Sequence, residues 1–122
     1  MFSIVVKNHV MIAHSLPDPF FGPAQKMHGA TYAIEAHVFS KELNDKNVVM
    51  DIGYASEILA EVASNLAYKN LDEVEEFKDQ LTTTEFVAKY IHDSIKKRLE
   101  DHLHLKIVLH ETPNASASYE ES

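Results

Sequence analysis

The stretch "ATYAIEAHVFS", Ala30 to Ser40, alternates so regularly that it reads as a strand with two unlike faces. Extended backbone sends successive side chains to opposite sides. Ala30, Tyr32, Ile34 and Ala36 therefore share one face, and Thr31, Ala33, Glu35 and His37 the other. Phe2 to His14 alternates in part, with Val6, Val10 and Ile12 among its β-formers, and reads as an earlier strand. Between the two lies "SLPDPFFGPAQKMHG", which holds three of the four prolines and two of the three glycines and reads as a loop.

Helical spacing takes over afterwards. In "DIGYASEILAEVASNLAYK" Ile52, Ala55, Leu59, Val62 and Leu66 fall on one stripe behind Asp51, a suitable N-cap. A polar, acidic stretch follows, and then "TTTEFVAKYIHDSIKKRLEDH" aligns Val87, Ile91 and Ile95, with basic residues near its end where they suit the helix dipole. "LHLKIVLHE" is a third strand, and the tail "NASASYEES" has room for a short fourth. The order β, β, α, α, β, β predicts an α+β fold: a four-stranded antiparallel sheet with two helices on one face. A single helix layer leaves the other sheet face, carrying Ile34 and Ala36 or their opposites, to be covered by assembly.

Length and charge narrow the class. A chain of 122 residues suits one domain, 1–122, and shows no internal repeat or linker. A formal net charge of −8 offers no broad basic surface, which argues against nucleic acid or an anionic membrane as main partner. There is no cysteine, so chemistry falls to His, Asp, Glu, Lys, Ser, Thr or Tyr. The amino terminus lacks the pattern of a signal peptide and no long apolar run follows, so a cytoplasmic protein is expected.

Most of the eight histidines have structural explanations: His37 on a strand face, His92 beside the second helix's core stripe, His102 near that helix's end. His14 and His28 differ, because each stands where a strand meets the same proline-rich loop. If the strands pair as a hairpin, the two imidazoles converge. Two histidines fall one ligand short of the three that a catalytic zinc usually takes from protein. "TTTE" reads first as a capping box, with Thr82 as cap and Glu85 reaching back to its amide. It also exposes helix N–H groups that, with Thr83 and Thr84, could bind a polar ring. Glu111, in "LHETP", reads on spacing alone as a solvated carboxylate at a strand end.

Taken in order, "MIAH", "HGATY", "VVMDI", "TTTE" and "HET" resemble the 6-pyruvoyl-tetrahydropterin synthase and 6-carboxytetrahydropterin synthase family nearly end to end. The resemblance implies a tunnelling fold, in which three subunits close a barrel and two trimers stack as a hexamer with active sites at subunit contacts. It implies zinc held by a histidine ending the first strand and two from a His-Gly-His motif. His14 and His28 match two of these ligands and Ala30 replaces the third, which depletes the site; His9 and His110 are the candidate substitutes. It also implies a pterin anchor, matched here by Thr83, Thr84, Glu85 and Glu111, and this reverses the bland reading of Glu111.

The family's proton relay is not matched. Ala24 stands for its cysteine, and Ala67 and Tyr68 for its aspartate and histidine. Two functional readings follow. One is an enzyme acting on dihydroneopterin triphosphate or a relative by altered lyase or isomerase chemistry, with Tyr68 or His110 as the proton-transfer group. The other is a non-catalytic pterin-binding or regulatory homologue.

Overall fold

The computed structural model describes all residues, 1–122. Four strands form one antiparallel sheet in chain order: β1 (Phe2–His14), β2 (His28–Ser40), β3 (His104–Thr112) and β4 (Ala115–Glu120). Two helices, α1 (Ile52–Ser64) and α2 (Thr84–Lys96), cover one face, α1 over β1 and α2 over β3 and β4. Short 3-10 turns occupy Pro19–Gln25, Leu71–Glu73 and Glu75–Phe77. The strand over His28–Ser40 begins two residues earlier than its alternation suggested, because the hairpin register runs unbroken from Phe2↔Ser40 to His14↔His28.

Residue parity decides what is covered. Val6, Val10, Ile12, Tyr32, Ile34, Ala36, Val38, Leu105, Ile107 and Leu109 face the helices and are buried. They meet Ala55, Ile58, Leu59, Val62 and Ala63 of α1 and Val87, Ala88, Ile91 and Ile95 of α2, in one continuous core. Each fully buried aliphatic side chain of this set contributes roughly 1.5–3 kcal/mol. Ile34 and Ala36 thus lie under the helices. The open face carries Lys7, Glu35, His37, Lys106, His110 and Glu120 together with the exposed Val5 and Met11, so it is mixed in character and partly apolar.

Both helices start on side-chain caps. Asp51 accepts from the Tyr54 amide at 3.1 Å, and Thr83 accepts from the Phe86 amide at 3.1 Å. The second cap is therefore Thr83 and not Thr82, and no capping box forms, because the residue three positions after Thr83 is Phe86 and the Thr83 amide bonds the Leu81 carbonyl. Helix α1 ends earlier than its apolar stripe, and Leu66 to Tyr68 lie in the following turn with Tyr68 at φ 59°. That turn is tied to the outer edge of β1: the Tyr68 amide donates to the Met11 carbonyl at 2.7 Å, and the Ala13 amide to the Lys69 carbonyl at 3.0 Å.

Candidate functional site

At one end of the sheet, beneath the start of α2, four distant segments meet. His14 ends β1 and His28 begins β2, directly opposite each other, with ring centroids 4.6 Å apart and planes at 64°. The His28 Nδ1–H donates to the Lys26 carbonyl at 2.8 Å, which leaves its Nε2 lone pair free. His14 is 2% exposed, and its Nδ1 is hydrogen-bonded to the buried Thr82 hydroxyl at 3.0 Å. Its Nε2 is buried and has no partner. Burial, and next the neighbouring His28, lower the His14 pKa below 6.5, despite opposing effects of Thr82, Asp72 and Glu111. A neutral imidazole with a free lone pair is the form that binds metal.

The metal implied by the resemblance can be tested against this donor set. Two imidazoles fit. Ala30, half-buried two residues beyond His28 and opposite Ile12, brings no donor. His9 and His110, the candidate replacements, project from the open face of the sheet and cannot reach His14 within one chain. No group of three or more His, Cys, Asp or Glu side chains is disposed to hold a metal ion. Within one chain the site thus offers two imidazoles, where a catalytic zinc usually takes three protein ligands.

Beside the histidines lies a polar cradle. The Thr84 hydroxyl donates to Glu111 Oε2 at 3.3 Å, joining the first residue of α2 to the end of β3. Glu111 sits at an irregularity in the β3–β4 ladder, between the pairs His110↔Ser116 and Thr112↔Ala115, and its carboxylate is exposed. Bulges of this kind re-aim a side chain at the end of a ladder. The amides of Thr84 and Glu85 have no acceptor in the chain and add two free donors beside it. An exposed carboxylate next to free N–H groups can engage a flat heterocycle that presents paired donors and an acceptor on one edge. Glu85 itself is exposed and makes no side-chain hydrogen bond.

The proposed proton-transfer residues lie apart. Tyr68 is 85% exposed on the outer edge of β1, and His110 Nε2 is bonded to Glu35 on the open face at 2.8 Å. Three participants escaped the sequence reading. Thr82 orients His14; the exposed Asp72, in an acidic stretch of sequence with no distinguishing spacing, accepts from the Ser15 amide at 3.1 Å and from its hydroxyl. The third is Tyr32, which lies on the helix-covered face of β2 one ladder step beyond Ala33↔His110, beside Glu111, and is wholly buried with an unpartnered hydroxyl. Parity had placed Tyr32 on the face of Ala30, and that was the available signal.

Comparison with known proteins bears on this arrangement. A family model described as 6-pyruvoyl tetrahydropterin synthase matches residues 3–122. The 6-carboxy-5,6,7,8-tetrahydropterin synthase of Bacillus subtilis is 27% identical over 119 residues, spanning 91% of this chain and 80% of that protein. The 6-pyruvoyl tetrahydrobiopterin synthase of Dictyostelium discoideum is 33% identical over 101 residues, 81% of this chain and 74% of its own. Among solved structures, 6-pyruvoyl tetrahydropterin synthase of Caenorhabditis elegans superposes with a TM-score of 0.89 at 23% identity, covering 99% of this chain and 96% of its own. That of Plasmodium falciparum gives 0.81 at 17% identity, covering 98% and 97%. The tunnelling fold expected from the sequence is the one observed. Since the family model spans all but the first two residues, the chain belongs to the 6-pyruvoyl tetrahydropterin synthase family.

Proposed function

We propose that this protein binds a pterin through Thr83, Thr84, Glu85 and Glu111 and acts on dihydroneopterin triphosphate or a related pterin by lyase or isomerase chemistry altered from that of its relatives. The observation that carries the reading is the Thr84–Glu111 pair beside two free amides of α2. The ring's amino group and adjacent N–H would donate to the two carboxylate oxygens, a forked and charge-assisted recognition. His14 and His28 flank the same end of the sheet, where the substrate's side chain would lie. They would bind zinc weakly unless another donor enters.

The cradle is open on a single chain, and the larger hollows lie at the opposite end of the sheet, around Phe39 and His104 and around Phe2 and Ile52. An open cradle fits a homo-oligomer in which a neighbouring subunit closes each site; the assembly proposed is a hexamer of two trimers, and the location proposed is the cytoplasm. Tyr68 and His110 face away from the cradle of their own chain, so a proton-transfer role for either requires such a contact. No helix is long and apolar enough to cross a membrane.

A second reading, a non-catalytic pterin-binding or regulatory protein, is favoured by one set of residues: Ala24, Ala67 and Tyr68 at the relay positions. A chromatographic product assay separates the two, with zinc-loaded protein, 7,8-dihydroneopterin triphosphate, the Glu111→Ala variant and a no-protein control. A new pterin that requires Glu111 establishes the enzyme. Tight binding without product establishes the binder. Glu111→Ala should weaken pterin binding roughly 100-fold, as expected for two charge-assisted hydrogen bonds; unchanged affinity would refute both readings. Turnover that survives Tyr68→Phe and His110→Ala would remove those residues from the chemistry.

A further inference from the structure

Only two buried side-chain polar atoms in the protein lack a hydrogen-bond partner, His14 Nε2 and the Tyr32 hydroxyl, and both belong to the same end of the same sheet face. Native proteins rarely leave a buried hydroxyl unpaired, because it forfeits its bonds to water and gains nothing in return. Phenylalanine would fill the same space without that cost, so the hydroxyl calls for an explanation in function.

Its surroundings supply one. The β2–β3 register ends at Ala33↔His110, and one step further brings Tyr32 alongside Glu111 on the helix-covered side. Tyr32 is 0% exposed, so it lies beneath the cradle and not in it. Glu111 is in turn bonded by the Thr84 hydroxyl, so Tyr32, Glu111 and Thr84 share one end of the covered face; burial, then the negative charge of Glu111, raise the Tyr32 pKa. Thr84 gives its one hydroxyl hydrogen to Glu111 across a long 3.3 Å bond, which leaves its oxygen lone pairs free to accept.

We infer that Tyr32 is a positioning residue for ring recognition: its hydroxyl donates to Thr84, which donates to Glu111, and this chain of hydroxyls holds the carboxylate fork from below when a ring engages it. The inference rests on the pterin reading and deepens it. Bonds in such a chain polarise one another, so a donor behind Thr84 makes Thr84 a better donor to the carboxylate. Tyr32 touches no ligand and acts only through Thr84.

The test is a double-mutant cycle read by fluorescence titration with the bare ring, 2-amino-4-oxopteridine, on the full chain. Tyr32→Phe should weaken binding about fivefold, the size of one net hydrogen bond, while its thermal midpoint stays level or rises. In a Thr84→Val background Tyr32→Phe should have no further effect. In a Thr84→Ser background, which keeps the hydroxyl, the effect should return. A purely structural Tyr32 would not reproduce this dependence. Wild-type affinity in Tyr32→Phe, equal effects in the Val and Ser backgrounds, or a Tyr32→Phe protein that does not fold would each overturn the inference. Glu111→Ala separates the two levels: if it binds the ring like wild type, the pterin reading falls and takes this one with it. If it loses binding while Tyr32→Phe does not, only the positioning role fails.

Discussion

His14 and His110 lie toward the same end of the sheet, two strands apart and on opposite faces, and their imidazoles are treated differently. His110 bonds Glu35 at 2.8 Å, and His37 bonds the other oxygen of that carboxylate at 2.9 Å, so one acid joins two histidines on the open face. His14 is buried under α2 with one nitrogen on Thr82 and the other on nothing. The open face spends its polar groups on one another. The covered end leaves two unmet, beside an exposed carboxylate. Abundance of histidine is thus a poor guide to a site, and incomplete satisfaction of buried groups is a better one.

The comparison can be broken most severely by supplying what the covered end lacks. Ala30→His would restore a third imidazole beside His14 and His28, and zinc affinity, measured by competition with a chelating dye, should rise roughly 100-fold. An unchanged affinity would mean that the pair is not disposed to share an ion. Next in size is Thr82→Val, which strands the second nitrogen of His14 as well. It should cost about 2 kcal/mol of unfolding free energy, readable in urea denaturation.

Acid should separate the buried histidine from the paired carboxylates by pH. His14 has a folded pKa below 6.5, so the unfolded chain takes up that proton first, and stability should fall as pH drops from about 6.5 toward the lowered value. Glu35 is held below 4.5 by hydrogen bonds from His37 and then His110, against the smaller effect of its partial burial. Burial would raise Glu121, but His92, backbone and Lys96 hydrogen bonds outweigh it and bring it to about 2. These carboxylates add stability above 4.5 that is lost only as pH falls through their lowered values. Thermal midpoints across pH should therefore decline in two stages, and His14→Phe should remove the upper one alone. The smallest effect belongs to the open face: Glu35→Gln, at pairs that stay partly open to solvent, should cost about 1 kcal/mol and leave pterin binding unchanged.

Much of the architecture was legible because period two and period 3.6 leave distinct traces. Alternation divided Ala30 to His37 correctly between two faces but left open which face the helices cover, and the spacing of Ala55, Leu59 and Val62 identified the buried face of α1. The same rule, applied to Leu105, Ile107 and Leu109, would have separated His110 from Glu111, since neighbours on a strand point apart. Which threonine caps α2 was not legible, because three in a row offer the same hydroxyl and only the backbone turn at Thr83 selects one. Thr82 was thereby freed to hold a histidine 68 residues away, a pairing with no local signal. Nor does sequence reveal that the Tyr32 hydroxyl lacks a partner, since that depends on how its neighbours across the sheet and helix are finally placed.

The His14–Thr82 bond also has a bearing on how the protein can be assayed. The cradle draws on β1, β2, the start of α2 and the end of β3, segments that come together only when the whole sheet is formed and the helix has docked. An unfolded chain offers a ligand none of this arrangement, so bound ring should raise the melting temperature by mass action, in step with the logarithm of its concentration above Kd. Occupancy of the cradle would then count intact molecules in a preparation, independently of whether any of them turns substrate over.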